Sequence, residues 1–416
     1  MAQARTEATL AGGGGGASGV WGISDATGTY TYYNTIALAN AAASAGDTIE
    51  LFANVVETAT VEMTLVADVT YQLNGYTYTL DNADLNTNTV STVGLSAGQN
   101  VKILNGTFVR TGVPSPGLNA NALYANHGAT LYLEGVTFTS GVTNVVYVAS
   151  DSYINGGTFI NNSPTNLSNG NSLYMTSGTV ADAKIYSIAT YCARIQGTGK
   201  LLNSFAYSQN QNAIYSSTSN TGTVANCTAH SDGAAAISMG SSNAKVYDCH
   251  AYSSSNYGIY VFGKSYGCTG YSASNYGIYC RLADSHIYNC NAISDTNYAL
   301  YTHVGGAGAY NCHLFARANY AFYGKGDMFN CTLTNVWNSS IGHLAFAVVD
   351  GTTTNKFFNN SFNPYFANTY CINASAAINV NYGGNTFNNT TTPINTTFIT
   401  QAQVNTEDIY GNIIVG

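Results

Sequence analysis

The sequence predicts an all-β solenoid whose coils are about 20 residues long, with a short helix capping the N-terminal end. Three observations carry this reading. Cysteines recur at Cys227, Cys249, Cys268, Cys290, Cys312 and Cys331, with gaps of 22, 19, 22, 22 and 19 residues. A second apolar series, Ile214, Ile237, Ile259, Ile278, Leu300 and Phe322, keeps step at gaps of 23, 22, 19, 22 and 22. Asparagines punctuate both: Asn256, Asn275, Asn297 and Asn319 precede the first series, and Asn226, Asn289, Asn311 and Asn330 precede the cysteines. Registers locked together in this way mean that one structural unit is stacked many times.

The elements follow in chain order. Residues 1–20 form a Gly-rich N-terminal arm, with AGGGGGASG at 11–19, a composition that gives a flexible tether. Residues 21–100 hold the cap and first coils. Within them TIALANAAASA at 35–45 predicts a short helix that Gly46 ends. DTIELF at 47–52 and TYQLNGYTYTL at 70–80 read as strands, with Asn74-Gly75 as a turn. A helix over the open end of a stacked sheet protects its edge.

Residues 101–340 form the solenoid core. Strand units begin at VKILNGTF (101–108), ATLYLEGVTF (129–138) and DSYINGGTF (151–159), and the repeat is clearest over 211–334. Each coil there holds an N-Y-G-I-Y-like strand, a turn, a Y-N-C strand and a polar S-x-x-N return. Asparagine tolerates left-handed backbone angles, so both Asn registers read as turns. Residues 341–416 hold terminal coils. His343 to Val349 is apolar, residues 379–397 are rich in Asn and Thr, and YGNIIVG at 410–416 reads as a last strand that closes the solenoid or pairs with another chain.

Composition narrows the function. Only 8% of residues are charged, against about 25% in ordinary soluble chains. Apolar residues make up 45% and tyrosines number 33, which argues against disorder and for strands over long helices. Residues 1–100 contain one basic residue, Arg5, and nine acids, which accounts for the whole net charge of −8; the expected role of this acidic end is a solvated cap. No basic patch is visible along the chain, so nucleic acid is excluded as a partner. No apolar run reaches the length of a membrane span. The first residues lack the charged-then-apolar pattern of a secretory leader, so the chain is expected either to function without that export route or to have lost a leader.

The chain has nine cysteines, and the six in register read as small buried hydrophobes rather than bridges. Adjacent rungs are about 4.8 Å apart, but parallel side-chain vectors give poor disulfide geometry. Free thiols fit folding in a reducing compartment. No C-x-x-C pair occurs and the histidines are scattered, so no metal and no cofactor is expected.

The Asn-Cys turn-strand motif, the 19–23-residue coil, and GDTIEL followed by YQLNGYTYTL resemble a right-handed parallel β-helix of the pectate-lyase-like superfamily, over about residues 45–390. The resemblance implies the fold. It also implies a range of roles, because such helices occur in polysaccharide lyases and hydrolases, phage tailspikes and surface adhesins.

If the cysteines face the core, so do Ala229, Ala251, Gly270, Ala292, Leu314 and Leu333, two residues on. The next residue then faces out: His230, Tyr252, Tyr271, Ile293, Phe315 and Thr334. So does the residue after the first series: Tyr215, Ser238, Tyr260, Tyr279, Tyr301 and Tyr323. If alternation breaks at the Asn turn, Tyr247, Tyr266, Tyr288, Tyr310 and Phe329 make a third outward column. Three roles are open for these aromatics: self-stacking along the solenoid, burial between subunits, and contact with sugar rings. The candidate ligand or interface residues are therefore Tyr215, Tyr252, Tyr260, Tyr271, Tyr279, Tyr301, Phe315 and Tyr323.

No catalytic residue is assigned. A glycosidase needs two carboxyl groups about 5–9.5 Å apart. Asp232 and Asp295 share a register position but stand three coils apart, near 14 Å by strand spacing. Thr223, Lys245, Lys264, His286, Gly308 and Asp327 share another and give two neighbouring lysines but no acid pair. Asp248 with His250 and Asp284 with His286 read as turn or surface pairs.

The function expected from these observations is structural and adhesive: a phage fibre, spike or capsid-surface protein at the virion surface, with host cell-surface polysaccharide as a candidate ligand. Expected partners are copies of the chain in a homotrimer and other virion proteins through the N-terminal arm. The alternatives are a polysaccharide lyase or glycoside hydrolase on the same fold, and a bacterial surface adhesin located extracellularly or at the cell surface.

Overall fold

A computed structural model describes residues 19–25, 27–57, 63–81, 93–111, 121–141, 144–164, 170–336, 345–349, 355–364, 370–374, 380–388 and 413–415. Residues 1–18 of the Gly-rich arm expected at 1–20 lie outside them, as do residues 389–412. The chain is an all-β parallel solenoid, and one of its faces is a sheet of 14 described strands.

From Leu173 to Asn335 each coil has three short strands, one on each of faces A, B and C, whereas Asn100–Thr111, Thr130–Ser140 and Tyr153–Asn161 run along B and C as single strands. In one coil the three are Ile259–Val261, Lys264–Tyr266 and Thr269–Ser272. In the next they are Ile278–Cys280, His286–Tyr288 and Asn291–Ser294. Each strand pairs in parallel with its counterpart one coil away. Alternation then sorts the side chains. Ile214, Ile237, Ile259, Ile278, Leu300 and Phe322 are buried on face A, and the six cysteines and the residues two beyond them are buried on face C. Val224, Val246, Ser265, Ile287, Ala309 and Met328 fill face B. The inward columns of faces A and C follow the sequence reading, and the structure adds that of face B.

The unequal coil length has a local origin. The turn from A to B takes two residues in the coils with Ile259–Val261 and Phe322–Gly324, and five in those with Ile278–Cys280 and Leu300–Thr302. Those three extra residues are the difference between gaps of 19 and 22.

The B–C corner is two residues wide, and its first residue carries a left-handed kink. Asn203, Asn226, Asp248, Asn289, Asn311 and Asn330 occupy it with φ between 48° and 55°, and Gly267 takes the same place at φ 63°. This left-handed kink interrupts alternation, and only Asn, Asp or Gly adopts it at small cost. The amides also join coils: Asn226 Nδ2 donates to Asn203 Oδ1 at 3.2 Å and Asn330 Nδ2 to Asn311 Oδ1 at 3.1 Å. Asn256, Asn275, Asn297 and Asn319 form a different corner. They are in turns as expected, but none has a left-handed φ.

The C–A corner explains the S-x-x-N return. Ser253 Oγ accepts from the backbone N–H of Asn256 at 2.9 Å and donates to the carbonyl of Ala234 in the preceding coil at 2.7 Å. Ser231 and Ser294 repeat both bonds, and Ser272 repeats them on Asn275 and Asn256. A buried hydroxyl thus satisfies one donor and one acceptor that the bend takes out of the ladder.

The N-terminal end is closed by an antiparallel device. Trp21–Ser24 pairs antiparallel both with Tyr30–Tyr33 and with the first coil strand, Thr48–Leu51. The helix Ile36–Ala42 follows, N-capped by Thr35, and buries Ile36 and Ala39. It ends at Ala43, earlier than the expected boundary, and Gly46 with φ 92° belongs to the next turn. At the other end Ala345–Val349 is a strand of face A, and Ile413–Val415 pairs in parallel with Thr386–Asn388, closing the stack.

The eight cysteines whose side chains are described, Cys192, Cys280 and the six of the ladder, are free and buried. The ladder thiols donate to the carbonyl two residues back, as Cys249 does to Tyr247 at 3.0 Å. Burial pushes the Cys192 and Cys280 thiols up, away from the reactive thiolate. Native protein treated with iodoacetamide should therefore keep the peptides of Cys192, Cys280 and the ladder unmodified until denaturant opens the coils; native alkylation of a ladder peptide would contradict this packing. For the serine corner, Ser253→Ala should lower stability by about 1–3 kcal/mol, read as a shift in the urea midpoint, because it orphans two buried backbone groups.

Candidate binding face

Face A carries two interlocked tyrosine rows. The outward position of the strand holds Tyr260, Tyr279, Tyr301 and Tyr323 in register. Consecutive rings are 4.9, 4.9 and 5.6 Å apart and tilted by 32–35°. The residue after each corner asparagine adds Tyr257, Tyr276, Tyr298 and Tyr320. These rings stack at 5.4, 5.3 and 5.6 Å with interplanar angles of 15°, 7° and 16°. The rows touch: Tyr276 is 4.8 Å from Tyr301, and Tyr298 is 4.5 Å from Tyr323. These spacings suit offset stacking, whose ring pairs contribute about 0.5–1.5 kcal/mol each.

Stacking uses up the ring faces. Each ring inside a row lies between two neighbours, so the edge and hydroxyl remain for a ligand. Desolvation holds the phenols of Tyr279 and Tyr298 up to about 12 and raises those of Tyr257, Tyr260, Tyr276 and Tyr320. The face is therefore a row of neutral hydroxyls, each able to donate and accept.

A third row borders this face at the A–B edge, where the first residue after each strand is Phe262, Arg281, His303 or Lys325. Arg281 Nη1 donates to Tyr260 Oη at 3.1 Å and its guanidinium lies 5.8 Å from the centre of the Phe262 ring. Tyr301 Oη bonds His303 Nδ1 at 3.2 Å.

The structure sorts the sequence candidates by face. Tyr215, Tyr260, Tyr301 and Tyr323 stand half-buried on face A. Tyr279 corrects the expectation of an exposed residue: it is 5% exposed, because Tyr257, Tyr276, Tyr260 and Tyr301 close around it. Ser238 is likewise buried. Tyr252, Tyr271 and Phe315 belong to face C and are not brought to the face A rows. There Tyr252 and Tyr271 stack at 4.9 Å and 8°. The conditional third column is real: Tyr247, Tyr266, Tyr288, Tyr310 and Phe329 stack on face B at 5.0–5.4 Å and 5–14°.

The acids are engaged locally. Asp232 accepts from Tyr207 Oη at 2.6 Å and Ser254 Oγ at 3.0 Å and contacts His230 Nε2 at 3.0 Å; the Tyr207 bond leads the effects that hold its carboxyl below the usual range. Asp295 accepts from Tyr271 Oη and pairs with Arg317 at 3.1 Å. His286 Nδ1 meets the backbone oxygen of Asp284, not its carboxylate. Among the described residues no group of three or more His, Cys, Asp or Glu converges to hold a metal, and no helix is long and apolar enough to cross a membrane.

A family model described as a right handed beta helix region matches residues 169–269. No curated protein matches the chain. Two similar solved structures are a mutant of the periplasmic alginate epimerase AlgG, 8% identical over 89% of this chain and 85% of that one with a TM-score of 0.26, and the Azotobacter vinelandii mannuronan C-5 epimerase AlgE6 A-module, 10% identical over 89% of each chain with a TM-score of 0.22. At these scores neither informs the chemistry of this face.

The buried phenols carry a pH signature. Their folded pKa lies above the unfolded value of about 10, so the stability they give is complete below pH 10 and is lost as pH rises through about 12. Absorbance at 295 nm should show a tyrosine class that ionises late, together with unfolding. Complete ionisation near pH 10 with the fold intact would contradict the packing of Tyr279 and Tyr298.

Proposed function

We propose that the chain is a non-enzymatic adhesive solenoid, a fibre, spike or capsid-surface protein at a phage virion surface, and that face A binds glycans of the target surface. The observation that carries the binding role is the double row of eight tyrosines, which repeats a neutral hydroxyl at every coil. A glycan chain offers hydroxyls at a similar period, and a rigid row of donors and acceptors meets it without losing side-chain freedom. The ring stacks hold those hydroxyls in place. The Gly-rich segment at 11–19 supports a tether to a particle. The local engagement of Asp232 and Asp295 favours binding over cleavage.

The test separates the hydroxyl from the ring. A glycan array should yield binders, and the triple variant Tyr260→Phe, Tyr301→Phe, Tyr323→Phe should weaken them at least about tenfold, the equivalent of 1.4 kcal/mol, with thermal stability nearly unchanged. Unchanged affinity would remove face A from the binding role. Release of reducing ends from any bound polysaccharide would replace the adhesive reading with the enzymatic one.

A further inference from the structure

The chain keeps charge scarce, yet it stacks cations at one edge. Lys245 and Lys264 are direct register partners on face B. Across the A–B turn, Arg281, His303 and Lys325 occupy one position in three successive coils. Their backbone N–H groups bond to the carbonyls of Val261, Cys280 and Thr302 at 3.2, 2.9 and 3.1 Å, which fixes them in register. Like charges opposed across strands destabilise a sheet. The ion pairs among the described residues are His230–Asp232, Arg317–Asp295 and Lys356–Asp327. None of the five edge residues has a carboxylate in ion-pair range there, and Asp284 is the one acid in the turns that carry Arg281, His303 and Lys325. Lys245, Lys264, Arg281 and His303 are exposed.

We infer that the ligand of face A is a linear anionic glycan lying parallel to the solenoid axis, with its carboxylate, sulfate or phosphate groups along the A–B edge and its hydroxyls on the tyrosines. This rests on the glycan reading of face A. Strand spacing sets successive positions of this edge about 4.8 Å apart, close to the advance of one sugar in an extended 1,4-linked chain. Arg281 and His303 are already bonded to Tyr260 and Tyr301, so cations and phenols form one continuous surface. Repulsion that costs stability in the empty protein is relieved when an anion bridges the row, and the positive edge attracts a polyanion at low salt.

The experiment is a calorimetric titration of the full chain with dextran, dextran sulfate, polygalacturonate and poly-L-glutamate, at low and high salt. Dextran sulfate or polygalacturonate should bind, and which of them binds tells sulfate from carboxylate preference. Arg281→Gln with Lys325→Gln should weaken that binding roughly tenfold and raise the melting temperature of the empty protein, while Lys184→Gln on face C changes neither. Equal binding of poly-L-glutamate would reduce the edge to general ion exchange and overturn the inference. Binding of neutral dextran that survives the double variant would overturn it while leaving the glycan reading intact. A folded protein that binds none of the four would overturn both.

Discussion

A parallel coil that repeats in register must set every side chain directly above its own counterpart, one strand spacing away. The rest of this structure depends on that constraint. A residue type survives at a given position only if it tolerates a copy of itself as a neighbour. Tyrosine stacks on tyrosine, asparagine bonds to asparagine, serine bridges to the next return, and a thiol packs against a thiol. Charges do not tolerate their copies, which accounts for a charged content of 8% in a chain of 416 residues.

The same constraint separates stability from recognition. The inward columns are dense and buried, so their side chains are closed to a ligand. The ring rows outside are structural as well, since their faces are spent on each other. What projects beyond the stacks is the phenol oxygens of face A and the side chains of Arg281, His303 and Lys325 at its edge.

Much of this was legible in the sequence. The cysteine and Ile214–Phe322 registers gave the inward columns because burial demands the same class of residue in each coil. The left-handed corner was legible wherever asparagine stood, and less so at Asp248 and Gly267, which do the same work without matching the motif. The row of Tyr257, Tyr276, Tyr298 and Tyr320 was present in the N-Y-G motif but was read as part of a strand, because alternation says nothing about side chains in a bend. The burial of Tyr279 was not legible, since it comes from tyrosines in neighbouring coils. Arg281, His303 and Lys325 never cluster along the chain; they meet only when turns of two and five residues are aligned by the strands on either side.

That A–B turn has a further consequence. Coils of 19 and 22 residues coexist in one uninterrupted stack because the difference is absorbed there, whereas the B–C corner stays two residues wide. Insertions and deletions are therefore neutral to folding along one seam of the molecule and ruinous along another. The permissive seam is also the one that borders face A. Small indels there change what stands beside the tyrosine rows while the stack itself is inherited unchanged.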